Sequence, residues 1–214
     1  LRTFFLGQLP SEWSYSIAGQ LSWINLLYEI INEAIVLPLY FFMGQAVADK
    51  KEYTNRIRSG LLISLSIYTV CSTLVMIFVN PLLRFMAVSS DIILESANYI
   101  RIECIANIFG ILYSFICVAL ITIGKDKLVY AITAAKLILS LILDTLLVST
   151  LPVSLNLGVN GIGISNIISN LILFIIAVIL IYKCGYPLFR KEKLSFTWMK
   201  NFFKVGSISG LESL

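Results

Sequence analysis

The stretch LVYAITAAKLILSLILDTLLVSTLPVSLNLGVNGIGISNIIS, residues 128–169, holds two apolar runs joined by the charge-free connection Leu151 to Gly161. The first run carries Asp144 and the second Asn166. A carboxylate at a bilayer centre costs about 2.5–3.5 kcal/mol on insertion scales, so Asp144 needs a polar partner or a functional reason. Gly158 to Ser169 spaces small residues along the start of a helix, which lets a second backbone approach closely. Together the two runs predict a packed helix pair with a polar spot between them.

The rest of the chain has the same character. Of its 214 residues 58% are hydrophobic and 13% charged, and the mean hydropathy of +0.91 is far above that of a soluble domain. Five segments reach the roughly 20 apolar residues that a bilayer crossing needs: Leu21 to Val47, Leu61 to Phe85, Ile102 to Ile123, Leu128 to Leu151 and Ile162 to Tyr182. A sixth begins near Val205 and is still open at Leu214, and the chain opens without Met, so it reads as a fragment. The predicted fold class is all-α, a polytopic transmembrane helix bundle.

Basic residues set the orientation, because excess Lys and Arg stay on the cytoplasmic side. The connections after the first, third and fifth segments carry 4, 2 and 6 of them, whereas the connection after the second has Arg84 and Arg101 and that after the fourth has none. The first segment therefore runs from outside to inside. This placement also accounts for the net charge of +4 without a nucleic-acid partner, and none is expected. Leu188 to Lys204 is basic and aromatic, with Trp198, Met199, Phe202 and Phe203 on one helical stripe, the pattern of a helix lying in the cytoplasmic interface.

Chemistry is confined to a few side chains. The chain has no His, and Cys71, Cys104, Cys117 and Cys184 show no metal-ligand spacing and read as small buried apolar residues. Any proton-linked step must then use carboxylates. Glu29, Asn32 and Glu33 lie within one turn of the first segment, either as a cation or proton site or as a polar face turned to a neighbouring helix. In the fourth segment Lys136, Ser140 and Asp144 recur at four-residue intervals. At ~1.5 Å per residue Asp144 lies about 10 Å below the outer end of its segment, Asn166 about 6 Å, and Glu29 and Glu33 roughly 12 and 18 Å. Lys136 either snorkels to the cytoplasmic interface or pairs with Glu33. Ser89-Ser90-Asp91 predicts a cap for a helix that starts outside the membrane and runs inward through Tyr99 and Arg101, Asn80-Pro81 a helix end, and Glu95, Arg101 and Glu103 interfacial charges.

Several of these stretches resemble the multidrug and toxic compound extrusion (MATE) transporters of the multidrug/oligosaccharide-lipid/polysaccharide flippase superfamily. The resemblance is carried by PLYFFMGQAVADKKEY, NPLLRFMAVSSDIILESANYIRI, IGKDK, ILDTLL, GVNGIGISNIIS and KVGSISGLESL, in that order. It implies a twelve-helix protein of two lobes, with this chain an incomplete N-terminal lobe: residues 1–20 the end of a preceding helix and an outer loop, 21–184 helices two to six, 185–204 a cytoplasmic amphipathic linker, and 205–214 the start of the seventh helix. It also implies an antiporter that exports small organic compounds, often cationic, across the inner membrane by alternating access, driven by sodium or protons and using no other cofactor. A multi-pass, monomeric, non-enzymatic membrane protein is expected.

The family's ion site places its Asp on Asp144, its Asn on Ser140 and its Thr on Asn166, so two positions change type but stay oxygen donors suited to sodium. A burial-raised carboxyl at Asp144 would instead serve protons. A lipid-linked saccharide flippase of the same superfamily is the alternative, disfavoured by an interior that is acidic apart from Lys136. No nucleophile with a base at helical spacing supports an intramembrane enzyme.

Overall fold

The computed structural model describes residues 14–19, 21–189 and 193–212, with positions 4 and 7; among these there is no β-strand. The expectation for residues 1–20 therefore falls largely outside the described residues, as do Arg190 and Lys191. A short helix α1 (Ser14–Gly19) precedes α2 (Ser22–Ala46), α3 (Lys50–Phe85), α4 (Ser90–Thr122), α5 (Asp126–Leu147), α6 (Val159–Lys183) and α7 (Met199–Glu212). Helices α2 to α6 are each long and apolar enough to cross a membrane, as the hydropathy predicts.

The helix ends depart from the hydropathy limits because local chemistry sets them. Asp49 accepts from the backbone N–H of Lys51 at 2.8 Å and of Glu52 at 3.2 Å, an N-cap that starts α3 eleven residues before Leu61. At its other end Asn80-Pro81 does not stop the helix, which runs on to Phe85. It closes where Ala87 takes φ 56° and the Val88 N–H returns to the Leu83 carbonyl at 3.1 Å. The charged stretch before Ile102 and the apolar segment after it form one helix, α4, continuous from Ser90. Ser89 makes no side-chain cap bond there. α2 likewise continues through Pro38.

Helix α4 is the hub. It packs most extensively on α6 and α3 and also meets α2 and α5. Phe115 sits at the place on α3 where Gly60 has no side chain; a Cβ there would lie 2.3 Å from the ring. Tyr53 of α3 donates to the Ala119 carbonyl at 2.6 Å, which ties the start of α3 to the end of α4. Tyr28 of α2 and Ser72 of α3 bond at 2.7 Å, and Ser72 donates on to the Cys104 carbonyl of α4 at 3.2 Å. Polar contacts of this kind hold membrane helices together where lipid supplies no hydrophobic drive.

The aromatic stripe at the start of α7 is buried in protein, apart from Phe203, rather than laid on lipid. Trp198, Met199 and Phe202 are almost inaccessible, while Phe203 is exposed. The Trp198 indole donates to Ser59 at 3.1 Å, and Phe42 of α2 packs against both Trp198 and Phe202. Asn55 pairs with the Ser195 backbone in both directions, at 2.9 and 3.0 Å. Arg56 lies over the Trp198 ring and is held by Glu52 at 2.8 Å and by the Phe42 carbonyl. The apolar face of the stripe therefore covers α2 and α3, and α7 starts at Met199, six residues before Val205.

Candidate functional site

The polar spot predicted between the fourth and fifth segments is built by the end of α5. This helix stops at Leu147, so Asp144 lies in its last turn instead of 10 Å below its end. Its side chain is nonetheless only 4% exposed. The connection that follows folds back on the helix. Leu155 and Leu157 donate their N–H groups to the Leu146 and Leu147 carbonyls, each at 2.8 Å, filling acceptors that a helix end leaves open. Gly158 turns the chain at φ 61°. Gly161 then passes so close that a Cβ there would lie 2.7 Å from the Leu147 carbonyl oxygen. Asp144 thus points neither to lipid nor to bulk water. Ser140 is half-buried one turn below it on α5.

Asn166 engages Glu103, which the charge pattern places at the interface. Its amide Nδ2 donates to the Glu103 carboxylate of α4 at 2.7 Å. Glu103 is 5% exposed and so is a buried carboxylate rather than an interfacial charge. Gly163, one turn earlier, lets α4 approach: a Cβ there would meet Ile102 at 2.6 Å and the Glu103 carboxylate at 3.7 Å.

Register puts the two acids at one depth. Leu147 faces Gly161 in the antiparallel α5–α6 pair, so three residues back along α5 and three forward along α6 set Asp144 opposite position 164. In the parallel α4–α6 pair Glu103 meets Asn166, two residues further, or about 3 Å along the axis. Asp144 and Glu103 flank α6 at the same level.

One turn deeper α6 reaches a second place. Asn170 donates to the Ala106 carbonyl at 3.0 Å, and its own Oδ1 is buried without a hydrogen-bond partner. Asn170 lines an open chamber of about 360 Å³ together with Glu29, Asn32, Tyr28, Asn107 and Lys136. Of the polar residues singled out on the first and fourth segments, Glu29, Asn32 and Lys136 line this chamber, whereas Glu33, half-buried one turn along α2, does not. Lys136 does not snorkel to the interface. Its ammonium lies 5.3 Å from the centre of the Tyr113 ring, at the chamber wall.

A sequence signal for α4 does exist. Ser96, Glu103, Asn107, Gly110 and Ser114 recur at spacings of seven, four, three and four, a polar and small stripe on one helix face. Asn166 and Asn170 on α6 repeat it at a spacing of four, and both bond to α4. Among the described residues no three acidic or sulfur side chains are grouped to hold a metal ion. The oxygen donors of Asp144, Ser140 and Asn166 are of the hard type that suits an alkali cation.

The comparisons with known proteins agree with this architecture. The chain superimposes with a TM-score of 0.85 and 15% identity on a crystal structure of MATE in complex with MaD3S, covering 99% of this chain and 48% of that one. It matches equally, at 0.85 and 15%, the outward-facing conformation of a multidrug resistance MATE family transporter of the MOP superfamily, covering 99% of this chain and 47% of that one. The chain spans about half the length of these structures. No curated protein matches. The sequence profile of the MatE family matches residues 35–146, just over half of the chain. This is a multi-pass membrane protein, and it belongs to the MatE family.

Proposed function

We propose that this chain forms most of the first lobe of an ion-coupled exporter of small organic compounds, working by alternating access in the cytoplasmic membrane. The observation that carries the reading is Asp144, a carboxylate kept within the bundle although it stands in the last turn of its helix. Burying such a group is costly, and intramembrane acids mark ion and proton pathways. Asp144 is the cation or proton acceptor, with Ser140 and Asn166 as neutral oxygen donors. Lys136, Glu29 and Asn32 belong to the chamber that receives the exported compound.

Coupling follows from proximity. Asn166 at the ion level and Asn170 at the chamber are one turn apart on α6, and both hold α4. A cation at Asp144 that draws on Asn166 changes the packing of the helix that forms the chamber wall. It shifts the lobe between outward-open and inward-open states by the difference in its affinity for the two. In the full-length protein, Asp144→Asn should abolish ion-dependent efflux in a dye-accumulation assay while leaving membrane insertion intact. Unchanged efflux would reject the assignment.

A further inference from the structure

We infer that the cleft between the start of α5 and the end of α6 binds the phosphate headgroup of an anionic phospholipid through Lys125, Lys127 and Lys183. The lipid is a fixed neighbour of the bundle at the cytoplasmic interface, not an exported compound.

Two backbone turns shape the cleft. After α4 the chain reverses at Gly124, with φ 72°, and the Lys125 N–H returns to the Leu120 carbonyl at 2.9 Å. At the end of α6 Cys184 donates to the Leu180 carbonyl at 3.0 Å, and Gly185, at φ 90°, donates to the Tyr182 carbonyl at 2.9 Å. Both walls are therefore held in place before any ligand arrives. Leu147 and Gly161 face each other in the antiparallel α5–α6 pair, and counting equally back from the one and forward from the other brings Lys125 level with Lys183. Between them lies an open cleft of about 460 Å³, lined by the three lysines, Asp126, Leu128 and Leu180. This volume is within the range of small-molecule sites.

The lining carries three positive groups against one negative. Asp126 does not cancel them by pairing, since among the described residues neither it nor any of the three lysines is in an ion pair. All four are exposed. Basic pockets between membrane helices on the cytoplasmic side attract lipid phosphates, for which lysine is a point-charge partner. The surroundings favour a lipid over a dissolved anion. Leu180 and Lys183 share a helix face with Ile172, Ile176 and Ile179, all three exposed, so an aliphatic track for acyl chains leads away from the cleft along α6. Tyr130 of α5 and Tyr182 of α6 are also exposed near it, and exposed tyrosines mark the level of the headgroups. A free phosphate would use the lysines alone. A zwitterionic lipid would bring its own cation against them.

The test is native mass spectrometry of the purified full-length protein in detergent, titrated with dioleoyl phosphatidylglycerol or dioleoyl phosphatidylcholine. The first phosphatidylglycerol should bind more tightly than the first phosphatidylcholine. A lysine beside an anionic headgroup is worth roughly fivefold in affinity, so changing Lys125, Lys127 and Lys183 together to Gln should weaken phosphatidylglycerol by at least about tenfold. Changing the same three to Arg should keep the preference. Lys51, Lys193 and Lys200, exposed lysines outside the cleft, changed together to Gln remove the same charge from the same side and should leave the preference intact. Equal binding of the two lipids by the unaltered protein, or an equal loss in the two Gln triples, overturns the inference. Displacement of phosphatidylglycerol by millimolar inorganic phosphate would assign the cleft to a dissolved anion and overturn the lipid.

Discussion

Replacing Gly161 with alanine drives a methyl group into the end of α5. The new Cβ would lie 2.7 Å from the Leu147 carbonyl oxygen, 3.2 Å from its carbon and 3.1 Å from a Val148 methyl. Two of these are backbone atoms, and the carbonyl also accepts from Leu157 at 2.8 Å, so the neighbour cannot simply rotate away. Overpacking costs about 1–3 kcal/mol and loss of the Leu157 bond about 0.5–1.5 kcal/mol, offset by about 1 kcal/mol of helix propensity. The net expectation is a destabilisation of about 2 kcal/mol. Gly44 provides the control, since a Cβ there meets nothing within 4 Å and alanine should be neutral or stabilising by up to about 1 kcal/mol. Both variants are compared in the full-length protein by heating it in detergent with a thiol-reactive fluorophore. Cys104 and Cys117, free and buried on α4, react as the bundle opens. Gly161→Ala should melt clearly below the unaltered protein and Gly44→Ala should not. Equal melting of the two variants would refute the close approach of α6 to the end of α5.

Other outcomes follow from single contacts. Glu103→Leu leaves the Asn166 amide without its acceptor and should cost about 1–3 kcal/mol relative to Glu103→Gln, whose side-chain carbonyl can still accept. Because both variants remove the charge, their melting difference reads the hydrogen bond, and no difference would count against it. Asn55→Ala releases the Ser195 backbone that Asn55 holds at 2.9 and 3.0 Å. Tryptic cleavage after Lys193 should then become faster, and an unaltered rate would show that this pairing does not restrain the segment.

Hydropathy alone located the five crossings, because a run of apolar residues must be covered by lipid or protein whatever its neighbours are. It was silent about where helices end. Asp49 extends α3 by a side-chain cap, and the foldback of Leu155 and Leu157 ends α5 at Leu147, both effects of individual hydrogen bonds. Glu103 was misplaced for a related reason. It stands among Asp91, Glu95 and Arg101, a local density of charge that looks interfacial, and only the parallel packing of α4 on α6 reveals that it faces Asn166. The stripe from Trp198 to Phe203 was legible as an amphipathic face, but a pattern of spacing does not say what the face covers. Glu29, Asn32 and Lys136 were legible as unusual residues, and their meeting at one chamber came from the bundle.

The proposed role of the Asp144 carboxyl is to carry the coupling ion. It is tested most directly with the full-length protein reconstituted in liposomes, where dye flux is driven by an imposed sodium gradient in one arm and an imposed pH gradient in the other. One gradient should drive flux in the unaltered protein, and neither should in Asp144→Asn. Gradient-driven flux that survives in Asp144→Asn would contradict it.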